Sequence, residues 1–95
     1  MTRKVILSRA VDRWLRKADA RVARSIRDAI RWIAAAENPR VKGKALTGNL
    51  AGLWRYRVGD YRIVCRLDDA ELTVLVLRIG HRSNVYRASR NQDSS

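Results

Sequence analysis

The sequence predicts an α+β fold: two N-terminal helices packed on one face of a small twisted antiparallel sheet, in chain order β-α-α-β-β-β. Three observations carry this. Apolar residues recur at helical spacing as far as Ile33, and at every second position from Trp54 onward. A glycine-punctuated stretch with neither period separates the two halves. Gly59-Asp60 then lies between two alternating runs, the signature of a two-residue hairpin loop. Ninety-five residues leave room for one core. Residues 1–88 are therefore expected to form one domain, followed by a polar, flexible tail over 89–95.

The elements follow in order. Lys4-Val5-Ile6-Leu7 is a short strand. Ser8 stands where an N-cap would, with Val11, Trp14, Leu15 and Ala18 behind it at helical spacing and Arg9, Arg13, Arg16 and Lys17 on the other side. Asp19 caps a second helix whose apolar stripe is Val22, Ile26, Ala29, Ile30 and Ile33. That helix must stop near Glu37-Asn38, because Pro39 disfavours helical backbone in the residue before it. Residues 40–52 form a basic loop with Lys42, Lys44 and three glycines, without the spacing of a phosphate-cradling Walker loop. Leu72–Leu77 is apolar on both faces, which predicts a central, fully covered strand that Gly80 ends.

Composition narrows the function. Lys plus Arg is 21 against 9 Asp plus Glu, a formal charge of +12, and 17 of the 21 are Arg. Such a balance argues against calcium binding. One cysteine, Cys65, excludes a disulfide framework and any multi-cysteine zinc site, and one histidine excludes a His-rich cluster. Asp68, Asp69 and Glu71 read as a solvated turn rather than a metal site. No metal or cofactor is expected. Val5-Ile6-Leu7 is far too short for a signal peptide or membrane span, so a soluble, cytoplasmic protein with no membrane contact is expected.

The hairpin can be folded on paper. With Gly59-Asp60 as its loop, Val58 pairs with Tyr61, Arg57 with Arg62, Tyr56 with Ile63 and Arg55 with Val64. Trp54, Tyr56, Val58, Tyr61, Ile63 and Cys65 then share the face toward the helices. Arg55, Arg57, Arg62 and Arg66 share the other. Like charges directly opposite cost roughly 0.2–1 kcal/mol, and nothing in folding asks for this cluster. A solvated outer face is the plain explanation. An anion seated among the guanidinium groups is the chemical one, and a nucleic-acid backbone is the obvious candidate. After Gly80, a His, an Arg and a Tyr (His81, Arg82 and Tyr86) arrive within six residues at the end of the last strand.

The helical pair, the run from Lys44 through Leu53-Trp-Arg-Tyr-Arg-Val-Gly-Asp-Tyr-Arg-Ile-Val-Cys-Arg66, and Ile79-Gly-His-Arg-Ser-Asn-Val-Tyr86 together resemble the RelE/ParE toxin superfamily of bacterial toxin–antitoxin systems. The resemblance runs from about Val5 to Tyr86, and its closing His-Arg and Tyr lean towards the RelE branch. It implies a RelE-like α/β sandwich. It also implies an endoribonuclease that cuts messenger RNA at the ribosome, the RNA's own 2′-hydroxyl attacking the adjacent phosphate, and a cognate antitoxin that neutralises it.

Carried over by position, the resemblance puts the two basic strand residues on Arg55 and Arg57, and the remaining set on Arg62, Arg82 and Tyr86. The RelE pattern has Lys at the two strand positions. Arg is effectively never deprotonated, so Arg55 and Arg57 can stabilise phosphorane charge but neither can be the general base. Tyr86 is then the expected base or orienting group, since surrounding positive charge favours phenolate. Arg82 or His81 would assist the 5′-oxygen leaving group, and Arg62 would hold the scissile phosphate. Arg55, Arg57, Arg66, Lys44 and Lys42 are expected to bind RNA phosphates, with no metal needed. A ParE-type gyrase poison on the same fold, or a non-catalytic nucleic-acid-binding module, are the alternatives. The helix face bearing Trp14 and the exposed sheet edge are the expected ground for the antitoxin.

Overall fold

The computed structural model describes residues 2–81. Within it Ser8 serves two elements at once. It follows β1 (Lys4–Leu7) and caps α1 (Arg9–Lys17), its Oγ accepting from the Val11 amide at 3.1 Å and donating to the Leu77 carbonyl at 3.0 Å. Asp19 caps α2 (Ala20–Ala35), accepting from the Arg21 amide at 2.9 Å. That helix closes at Ala36, and Pro39 opens a single 3₁₀ turn over Pro39–Val41. Ala23, Ile26, Ile30, Ile33 and Ala34 are its buried positions, with Val22 and Ala29 partly buried beside them.

Four more strands follow among the described residues: β2 (Lys44–Ala45), β3 (Trp54–Val58), β4 (Tyr61–Asp68) and β5 (Thr73–His81). They lie in the order β1-β5-β4-β3-β2. The β3–β4 register is the one derived from sequence, from Val58 opposite Tyr61 to Trp54 opposite Cys65. Gly59 has φ +58° and Asp60 keeps a negative φ, the pattern of a type II′ hairpin turn.

Three expectations need correction. The sheet is mixed, not wholly antiparallel: β1 runs parallel to β5. Hairpin logic sets direction only for consecutive strands, and these two are joined through both helices and three other strands. The basic loop contains the two-residue strand β2, paired to Trp54 and Arg55. The last strand begins at Thr73, because Leu72 takes a left-handed φ of +48° in the preceding turn, and it runs through Gly80 to His81. It is central, yet covered by helices on one face alone, so Leu75 and Leu77 are only half-buried. The expected tail over 89–95 lies outside the described residues.

One irregularity matters for function. Cys65 pairs with Val76, but Val64 pairs with Arg78, leaving Leu77 as an extra residue on β5. A one-residue bulge reverses the alternation of everything beyond it. Val74 and Val76 face the helices before the bulge, and Ile79 faces them after it. Arg78 is thereby turned outward.

The core joins Val11 and Leu15 of α1 and Ile26 and Ile33 of α2 to Ile63, Cys65, Val74 and Val76 of the sheet. Tyr56 ties the 3₁₀ turn to it: the ring is 4% exposed and its hydroxyl donates to the Pro39 carbonyl at 2.8 Å. Gly43 lies against that ring, where an added Cβ would come within 2.8 Å of Tyr56 Cζ. Gly43→Ala is therefore expected to lower stability by about 1–3 kcal/mol, seen as a lower urea midpoint. Burial, helped by the neighbouring Cys65, pushes the Tyr56 hydroxyl from 10.0 up to about 12, and burial pushes the Cys65 thiol from 9.0 up to about 12. The native state keeps both protons while the unfolded chain releases them above about pH 9, so stability falls as pH rises from there towards 12. Urea titrations at pH 8 and 11 should show this fall, and Tyr56→Phe should make it shallower.

Candidate nucleic-acid interface

Because the helices occupy one face of the sheet, every second strand residue is turned away from them. On β4 these are Arg62, Val64, Arg66 and, at the end of the strand, Asp68. Val64 stands across from Arg55 on β3 and from Arg78 on β5. Its four neighbours on this face are thus all arginines, two across the strands and two along its own. Val64 is only 1% exposed although it belongs to the outward face, and it lies outside the main core cluster. Long arginine stems readily lie along an apolar surface with their charged ends in water. The result is an apolar floor ringed by guanidinium groups.

Beyond Arg62 the ring continues to Arg57, its direct cross-strand partner. Arg57 Nε and Arg62 Nη1 both donate to the carbonyl of Gly59, at 3.4 and 3.3 Å, and Arg62 Nη1 also donates to the Tyr61 carbonyl at 3.1 Å. The turn's carbonyl dipole offsets part of the repulsion. It also draws both guanidinium groups to one end of the hairpin. Lys44 joins this face on β2, since it pairs with Arg55.

The remaining expected residues divide. Arg66 is on this face but at its far end, across from Leu75, with Ile6 of β1 beyond. Lys42 is not with the cluster: its Nζ sits 4.8 Å from the centroid of the Trp32 ring on α2. His81 is not with it either. The bulge puts His81 opposite Tyr61 on the helix side, where the two rings meet edge-on at 5.9 Å and Tyr61 meets Trp14 of α1 at 5.6 Å. Arg82 and Tyr86 lie outside the described residues. Arg78 is the residue that sequence reasoning missed. The signal was present as a phase break, since Val74 and Val76 are two apart but Val76 and Ile79 are three apart.

A second feature lies on the helix side. Past Leu77, β5 no longer has β1 beside it, and a groove of about 810 Å³ runs along that edge, lined by Arg13, Trp14, Lys17, Val22, Tyr61 and His81 among others. Among the described residues, no three His, Cys, Asp or Glu side chains come together as metal ligands. No described helix is long and apolar enough to cross a membrane.

This architecture is shared with solved toxins. A chain of the toxin–antitoxin complex RelBE2 from Mycobacterium tuberculosis superposes with a TM-score of 0.69 at 30% identity, covering 86% of this chain and 100% of that one. Two others agree in fold: the RelE–RelB complex from Pyrococcus horikoshii (TM-score 0.69, 24% identity, 90% and 100% covered) and free RelE of E. coli carrying two substitutions (0.74, 20%, 97% and 98%). The fold is that of the RelE-type toxins. The family model described as the ParE toxin of type II toxin–antitoxin systems, parDE, matches residues 5–86, and the chain belongs to this family within the RelE/ParE superfamily. Toxin RelG of M. tuberculosis is 47% identical over 45 residues, and Toxin RelE of the same organism 44% over 50; these matches cover 47% and 53% of this chain. The matched stretch spans about half the length of each of these curated relatives, 52% in both.

The opposed pair generates a prediction about stability. Arg57→Gln removes the like-charge contact with Arg62 and should raise stability by roughly 0.2–1 kcal/mol in low-salt buffer. Polyphosphate should stabilise the wild type more than the variant in the same thermal melt.

Proposed function

We propose that this chain is the toxin of a type II toxin–antitoxin system and acts as an endoribonuclease on messenger RNA at the ribosome, in the cytoplasm. The observation that carries this reading is the pair of guanidinium groups, Arg57 and Arg62, held side by side on an outward sheet face. In the reaction, the ribose 2′-oxygen bonds to the adjacent phosphorus and the bond from phosphorus to the 5′-oxygen breaks. Charge builds on the non-bridging oxygens of the phosphorane. Fixed guanidinium donors at those oxygens stabilise it, supplying the charge that a divalent ion gives in other nucleases. Arg62 and Arg57 take this role, with Arg55 one row behind.

Proton transfer needs other groups, since Arg holds its proton. Tyr86 serves as base or orienting group for the 2′-hydroxyl, and Arg82 hydrogen-bonds to the departing 5′-oxygen, which takes its proton from water; both residues are assigned from the family resemblance. His81 has its ring on the helix side against Tyr61, away from Arg57 and Arg62, and no role is assigned to it. The antitoxin, of charge complementary to +12, docks in the groove beside Trp14 and along the uncovered edge of β5, by attraction that salt weakens.

Programmed ribosomes with a defined message test the proposal. Wild-type protein should cut the message. Arg62→Ala should lower the rate by about 10²–10³-fold, in the range for losing one oxyanion donor, and Tyr86→Phe should also cut poorly. His81→Ala should stay within a few-fold of wild type. The matched family model favours one other reading, a gyrase poison. Intact messages together with broken DNA in expressing cells would establish that reading and refute the nuclease.

A further inference from the structure

The ring of arginines is larger than one phosphate requires. Arg57 and Arg62 make one row across the hairpin. Lys44, Arg55 and Arg78 make a second, with Val64 between the last two. Successive rows on one face are two residues apart along the strands, about 7 Å, which matches the step between neighbouring phosphates of an extended RNA strand. Each row thus presents cations at the spacing of one nucleotide.

Arg78 is the distinctive member of the second row. It is half-buried, and it faces outward only because of the bulge at Leu77. Arg16, Arg31 and Arg40 have carboxylate partners at 2.9, 3.0 and 3.1 Å, whereas Arg78 makes no hydrogen bond or ion pair with the described residues. A cation serving solubility alone gains nothing from partial burial beside an apolar floor. A cation placed to meet a ligand does, because partial burial limits its rotamers before the ligand arrives.

We propose that Arg78, flanked by Arg55 and Lys44, binds the RNA phosphate next to the scissile one, forming a flanking-nucleotide subsite across Val64. This rests on the reading that the outward face binds RNA. It does not depend on the protein cutting that RNA. Arg78 is here a binding residue, outside the set that acts on the reacting atoms.

The test is a salt titration of binding to a short, fully 2′-O-methylated RNA, which 2′-hydroxyl chemistry cannot cut. Against log[salt], the slope of log K for Arg78→Ala should be shallower than wild type by about 0.7, the value for one phosphate contact on a single strand, with about tenfold weaker binding at low salt. Arg78→Lys should restore the slope. Arg24→Ala, an exposed arginine of α2 on the opposite side, should leave it unchanged. An unchanged slope for Arg78→Ala overturns the assignment, even if affinity falls, because that pattern denotes stacking rather than phosphate contact. An equal effect of Arg24→Ala overturns it too, since only net charge would then be at work. The expected slope changes without any cleavage on ribosomes would support the subsite and refute the nuclease reading. Cleavage with no effect of Arg78→Ala would do the reverse.

Discussion

Two apolar helices must be covered, and the sheet that covers them can present only alternate residues to them. Every other side chain is therefore forced to the opposite face. Tyr56, Ile63, Cys65, Val76 and Ile79 satisfy the helices, and Arg55, Arg57, Arg62 and Arg78 have nowhere else to go. The cationic face is thus the second half of the same constraint that builds the core. A shift of one residue in pairing would carry guanidinium groups into the apolar layer, where burying a charge without a partner is prohibitive. Core and site hold each other in register.

The hairpin was legible because its information is local. Strict alternation, a Gly-Asp loop and aromatic residues on one phase leave a single register that keeps charge out of the core. Helix starts at Ser8 and Asp19 were legible for the same reason, since a cap is a contact within one turn. The bulge was not. Leu77 is an apolar residue in an apolar run, and only the three-residue step from Val76 to Ile79 betrays the slip. Reading that run as regular hid Arg78 and left His81 grouped with the arginines. Lys42 escaped for a different reason: its partner, Trp32, is ten residues away on another element, and the ring draws the ammonium away from the sheet. The direction of β1 was illegible because no pattern within four residues encodes which distant strand it joins.

Crowding like charges on a small sheet has a cost, and the fold spreads it. The Gly59 carbonyl accepts from two of the guanidinium groups. Among the described residues, the ion pairs of Asp12, Asp28 and Asp69 go to arginines of the helices and the 3₁₀ turn. The outward ring and the helix-side groove differ in character. The outward ring is flat and rich in forked donors. The groove beside Trp14 is aromatic and borders the part of β5 that β1 does not reach.

The strand order carries a consequence for synthesis. β5 is the last of the five described strands to be made, yet it lies inside the sheet, between β4 and β1. Until residue 73 and those after it have been translated, β1 has no partner and its exposed Val5, Ile6 and Leu7 wait unpaired. A nascent chain interrupted before that point carries the hairpin arginines but lacks Arg78 and the strand that joins β1 to the hairpin. Completion of the described sheet is in this way postponed until β5 has been made.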